Sequence, residues 1–125
     1  MPVSFYTLAP CRVADTRDTP GPFGGPALAA NTVRSFQVAS ICGVPASATA
    51  VAINVAVFTP SSAGDLRIYP AGSAAPLASA INFGAGIVRA NNSVVPLGAG
   101  GQISIQCDMP AGSTHFFFDV FGYFQ

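Results

Sequence analysis

The chain has 125 residues, half of them hydrophobic and only 8% charged, with five arginines balanced by five aspartates and a net charge of zero. That length fits a single domain over residues 1–125 with a core that needs no metal, and the lack of Lys and Glu beside 13 Gly and 11 Pro argues against helices. Five scattered arginines exclude the clustered charge that nucleic acid or an anionic membrane surface requires, and no apolar run reaches the ~18 residues of a membrane helix.

In chain order, Val3 to Leu8 is β-prone and stops at Pro10; a second short strand over Cys11 to Ala14 runs into Asp15-Thr16-Arg17-Asp18. Thr19 to Pro26 is a long loop, because its prolines lack donors and its glycines cost entropy. Thr32 to Val38 resumes a strand with Arg34, Phe36 and Val38 on one parity, ended by Gly43-Val44-Pro45. Ala50 to Phe58 alternates most clearly. Val51, Ile53, Val55 and Val57 form a core face, and Ala50, Ala52, Asn54 and Ala56 form a small face suited to close approach by another layer or chain.

Asp65 to Tyr69 turns Leu66 and Ile68 inward, and Ser79 to Phe83 is a short strand. Ile87 to Leu97 reads as a strand interrupted at Asn91-Asn92. Gln102 to Cys107 puts Ile103, Ile105 and Cys107 inside. The last strand, Thr114 to Phe124, is apolar on both parities. Phe116, Phe118, Val120 and Phe124 share one face; His115, Phe117, Asp119, Phe121 and Tyr123 share the other. A strand apolar on both sides is buried on both sides, so the second face needs cover from a loop such as Thr19–Pro26 or from another subunit. Phe117, Phe121 and Tyr123 are therefore the candidates for self-association. A near-neutral surface, which lacks self-repulsion, points the same way. The pattern predicts an all-β chain: an antiparallel β-sandwich, jelly-roll-like, of about eight or nine short strands.

Cys11 and Cys42 are either bridged, at ~3–4 kcal/mol of stabilisation, or free and buried in a reducing compartment. A small β domain with loose loops favours the bridge. Cys107, in an alternating strand, reads as a buried inert thiol. The start, Met1-Pro2-Val3-Ser4, has no basic n-region or signal-peptide core. A removed signal, excision from a larger protein, another export route and no export all fit it.

Catalytic machinery is hard to assemble. The lone histidine, His115, sits among phenylalanines, and no Gly-x-Ser-x-Gly elbow occurs. The carboxylates Asp15, Asp18, Asp65, Asp108 and Asp119 are the candidates for a glycosidase pair. Asp15 and Asp18 flank Arg17, which opposes a general-acid role and favours a salt-bridged turn. Asp119 needs a partner from Arg12, Arg17 or Arg34. Arg17 also spoils a calcium site at Asp15, Thr16 and Asp18, and no Cys/His cluster suits zinc. The expectation is no metal, no cofactor and no enzyme, with Arg12, Asp15, Arg17 and Asp119 as structural ion pairs. Sugar binding would draw on Tyr6, Tyr69 and Tyr123 with Asn54, Asn82, Asn91 and Asn92, against the simpler role of those asparagines in turns and strand edges.

The segments Ala9-Pro10-Cys11-Arg12-Val13-Ala14-Asp15-Thr16-Arg17, Gly21-Pro22-Phe23-Gly24-Gly25, Cys42-Gly43-Val44-Pro45, Gly64-Asp65-Leu66-Arg67-Ile68-Tyr69-Pro70, Asn82, Asn91 and Asp119-Val120-Phe121-Gly122-Tyr123-Phe124 together resemble a module of secreted and surface proteins of soil and environmental bacteria. The resemblance covers nearly the whole chain. It implies a non-catalytic extracellular or cell-surface module, a Cys11–Cys42 disulfide and no defined biochemical activity. Such modules are appended or tandem, whereas one stands alone here, which favours a subunit that assembles with its own copies into an oligomer or filament. The alternative is a carbohydrate-binding or adhesion module that takes surface glycans.

Overall fold

The computed structural model describes residues 3–125; Met1 and Pro2, part of the start read above for a leader, lie outside them. Nine strands occur among the described residues: β1 (Phe5–Asp15), β2 (Leu28–Ala29), β3 (Thr32–Gln37), β4 (Ala50–Phe58), β5 (Gly64–Pro70), β6 (Ile81–Phe83), β7 (Val88–Pro96), β8 (Gln102–Asp108) and β9 (Ser113–Phe124). One antiparallel sheet runs β1-β9-β4-β7, and β2 takes over beside β9 where β1 ends. The other runs β3-β8-β5-β6. The two pack as a β-sandwich. Successive strands mostly alternate between the sheets; β5 and β6 are consecutive neighbours in one of them.

The core follows from the alternation. Val51, Ile53, Val55 and Val57 of β4 are fully buried, as are Ile103, Ile105 and Cys107 of β8 and Phe116, Phe118 and Val120 of β9. Phe36 of β3 meets Phe116 and Phe118 across the sandwich, with ring centroids 5.5 and 5.7 Å apart. Each such side chain stabilises the fold by about 1.5–3 kcal/mol relative to exposure. A disulfide joins Cys11 on β1 to Cys42 in the β3–β4 connection, 31 residues apart in sequence with a Cα–Cα distance of 5.8 Å. No helix of the described residues is long and apolar enough to cross a membrane.

Four sequence expectations change. The two N-terminal strands are one: β1 runs through Pro10, with irregularities between Thr7 and Cys11 and between Arg12 and Ala14. An edge strand tolerates a proline because the missing donor faces away from the ladder. The pair β7–β4 is continuous from Val88 opposite Phe58 to Pro96 opposite Ala50, so Asn91 and Asn92 cause no break. The short strand β2 lies where the sequence shows only a loop. Finally, β9 changes parity near its end. Ile53 pairs with Val120 but Ala52 pairs with Gly122, so Phe121 is an extra, bulged residue. Beyond it Tyr123 lies opposite the core residue Val51, and Phe124 opposite Ala50 on the outer face. Tyr123 thus leaves the face it was expected to share with Phe117, and Phe124 leaves the face of Phe116.

Candidate functional site

The register writes the outer face of the larger sheet as cross-strand rows. Phe5, Phe124, Ala50 and Pro96 form the first; Thr7, Gly122, Ala52 and Val94 the next. Then come Arg12, Asp119, Asn54 and Asn92, followed by Asp15, Phe117, Ala56 and Ala90, and finally His115, Phe58 and Val88. A polar row therefore crosses all four strands, and the rows on both sides are mostly apolar, with Thr7 and Asp15 at their β1 ends.

Arginines cover the aromatic part of this face. Arg12 places its guanidinium 3.9 Å from the centroid of Phe117. Arg17 lies 4.9 Å from Phe117 and 5.2 Å from Phe58. Both cations are fixed by carboxylates. Arg12 donates to both oxygens of Asp119 at 2.7 and 3.3 Å and to Asp15 at 3.2 Å. Arg17 forks onto Asp15 at 2.9 and 2.8 Å and adds its backbone N–H at 3.0 Å. The side-chain bond from Arg17, above all, holds the Asp15 carboxyl down at about 2 against the opposing effect of its burial. An acid held that low keeps no proton to donate near neutral pH. The cover expected from a loop or a second subunit thus comes from β1 and the turn after it. The Thr19–Pro26 loop goes elsewhere: Arg34 donates to the carbonyls of Pro26, Gly21 and Gly24 and pins it.

His115 belongs to the same face. Its Nδ1 lies 3.0 Å from the hydroxyl of Thr16. That hydroxyl also accepts the Phe116 N–H and lies 3.1 Å from the Phe116 carbonyl. Thr16 is only 2% exposed, so its oxygen is closed to a substrate and works as a tie between β1 and β9. The possible calcium ligands Asp15 and Thr16 are committed to arginine and to these contacts.

The smaller sheet carries a cluster that the sequence did not assemble. Asp65 of β5 lies directly opposite Asp108 of β8 and, on its other side, opposite Asn82 of β6. Arg67 forks onto Asp108 at 2.7 and 3.0 Å, and Gln106 donates to Asp108 at 2.9 Å. The Arg67 fork holds the Asp108 carboxyl well below the usual range. Asp65 goes the opposite way: burial, then the neighbouring Asp108, lifts its carboxyl to about 6. Its Oδ1 is buried and unpaired. Outward parity of Asp65 and Asp108 is readable in the sequence, but their register is not. Among the described residues no group of three or more His, Cys, Asp or Glu side chains could hold a metal ion.

The remaining candidates separate. Asn82 and Asn91 line an open polar groove of about 340 Å³ between β6 and β7, with Ser79 and Arg89. Asn54 and Asn92 lie in the polar row on the larger sheet. Tyr6 stacks on Tyr123 at 5.2 Å, and Tyr69 is buried. Phe117 sits beneath the two guanidiniums, and Phe121 occupies the bulge. Cys107 is buried, and that burial pushes its thiol up to about 11. A scan of the chain against protein-family models and a search of curated proteins return no match.

Proposed function

We propose that the protein is a non-catalytic structural module that self-associates outside the cell or on its surface. One observation carries the reading: the molecule pairs three of its five arginines with its own carboxylates, bonds the other two to its own backbone, and leaves apolar side chains in water. Three arginines are forked onto carboxylates, Arg34 is bonded to loop carbonyls and Arg89 to the Asn82 carbonyl. Phe5, Val33, Leu77, Val88 and Val94 remain 45% exposed or more. Such a surface offers little repulsion between copies and apolar area to bury. The Cys11–Cys42 disulfide fits an oxidising compartment, and the resemblance to exported bacterial modules agrees with it.

Sedimentation velocity across a wide concentration range tests the proposal. The expected result is a defined oligomer or a concentration-dependent shift; a monomer at every concentration overturns it. A second reading, glycan binding, draws on the open groove lined by Ser79, Asn82, Arg89 and Asn91. A monomer that binds a glycan array, and loses that binding on Arg89→Ala, would favour it over assembly.

A further inference from the structure

We propose that two copies join through the free edge of β7, in antiparallel register about a two-fold axis at Asn91, so that the larger sheet runs continuously from one copy into the other. The inference rests on the self-association reading above and names its surface.

The sheet edges differ in how open they are. A free edge is a row of unpaired backbone donors and acceptors, and proteins usually guard it with proline, bulges, charge or short length. Edge β1 has Pro10, two register irregularities and the disulfide at Cys11. Edge β6 has three residues. On β3, Arg34 ties the adjacent loop down. Edge β7 has nine residues in unbroken register, its proline is at the very end, and Arg89 is its single charge.

The direction of the backbone groups fixes which registers pair. On the β4 side, Leu97 donates to Thr49 and Thr59 donates to Ile87. Odd-numbered residues therefore address β4, and by alternation Val88, Ala90, Asn92 and Val94 point their N–H and C=O groups at the free edge. Pro96 falls on that outward set, where its missing donor costs no ladder bond. Besides Arg89 and the terminal proline, Asn91 supplies a local guard, its Oδ1 accepting the Asn92 N–H at 3.0 Å.

A second copy satisfies this edge in one register better than in its neighbours. With the axis at Asn91, Val88 faces Val94 of the other copy and Ala90 faces Asn92. Every outward donor in the strand then meets an outward acceptor. Shifting the axis to Ala90 sets Val88 against Asn92 and Val94 against Gly86, and shifting it to Asn92 sets Val88 against Pro96 and Val94 against Ala90, so neither valine meets the other. Val88 and Val94 are each 61% exposed. They are equally spaced about Asn91 and lie on the same outer face, so the symmetry covers both with each other. Charge does not oppose the contact: Arg89 faces Ser93, and the chain carries no net charge. An isologous contact of this kind closes on itself as a dimer.

The register makes one residue meet its own copy. Asn91 would oppose its counterpart in the closely spaced, non-hydrogen-bonded position, with Cα atoms about 4.5 Å apart, within the span of a disulfide. The experiment is air oxidation of Asn91→Cys, with Ala90→Cys and Asn92→Cys as register controls, read by non-reducing electrophoresis and intact mass. Alongside it, Val94→Lys is measured by sedimentation velocity and by its melting curve. The expected result is a covalent dimer at position 91 in preference to 90 and 92. Val94→Lys is expected to weaken dimerisation by about tenfold or more with the monomer still folded. Cross-linking at 90 or 92 in preference to 91 overturns the register. A wild-type oligomer that Val94→Lys leaves intact, with no link at 91, overturns the edge while sparing the self-association reading. A wild-type monomer at all concentrations overturns both.

Discussion

Asp65 and Asp108 show how strongly one neighbour divides two identical side chains. They face each other across β5 and β8, yet of the two Arg67 bonds to Asp108 alone, whose carboxyl is held down while burial lifts that of Asp65 to about 6. The consequences for stability have opposite signs. For Asp15, held at about 2 against an ordinary 3.8, the unfolded chain binds the proton more tightly. Its contribution is present above the ordinary value and lost as pH falls toward 2. For Asp65 the folded state binds the proton more tightly, so stability falls as pH rises from about 4 to about 6. Together these place the optimum on the acidic side of neutral. Asp65→Asn keeps the shape and removes the ionisation. It is expected to raise stability at pH 8 by ~1–2 kcal/mol and to flatten the slope between pH 4 and 6. Urea unfolding of both proteins at several pH values checks this; an unchanged slope would remove Asp65 as its source.

Among the elements, β5 depends on a close approach at its first residue. A Cβ on Gly64 would run into the backbone carbonyl of Asp108 and the side chain of Met109. Neither can retreat cheaply, since Asp108 is held by Arg67 and Met109 is buried. Gly64→Ala is therefore expected to cost about 1–3 kcal/mol by forcing β5 and β8 apart. Gly122→Ala should cost less, because much of its obstruction is the exposed ring of Phe5. Denaturant midpoints of the two variants compare them directly, and equal losses would contradict the account. The same elements show what a sequence reveals. The alternation of β4 and β8 gave their faces correctly, because burial on one side imposes a period of two. Alternation misassigns the end of β9, because a bulge adds one residue and reverses every face after it. Gly122 is the one local signal in Val120-Phe121-Gly122, since a glycine inside a strand often marks a bulge or a close approach, but the shift of faces shows only in the register against Ala52 and Ile53. The arginine cover over Phe117 is invisible in the sequence for a related reason. The ion pairs were readable as charges close in sequence or in need of partners, but their position above the aromatic rings depends on Arg12 standing opposite Asp119.

At the scale of the whole molecule, the sandwich has few local contacts to hold it while it forms. The β1–β9 pair joins opposite ends of the chain, and most connections cross from one sheet to the other. Such topologies bear their loop-closure entropy before the contacts that compensate for it. The Cys11–Cys42 bridge relieves part of that cost. It ties the β1 edge to the connection that carries the chain from β3 to β4, closing a separation of 31 residues, for which chain entropy gives about 3–4 kcal/mol. Cys107 is a poor competitor for either partner, because it is buried within the core and its thiol is pushed up to about 11, leaving almost no thiolate near neutral pH. Two results follow for native protein treated with a mild reductant and then an alkylating agent. Cys11 and Cys42 are expected to be labelled while Cys107 stays unmodified until denaturant is added, as intact mass and peptide mapping would show. The reduced, alkylated protein should lose about 3–4 kcal/mol of unfolding free energy, because the unfolded chain gains entropy while the packed core is unchanged. Equal labelling of all three cysteines before denaturation would mean that the core opens once the bridge is cut, and that the disulfide holds the two sheets together.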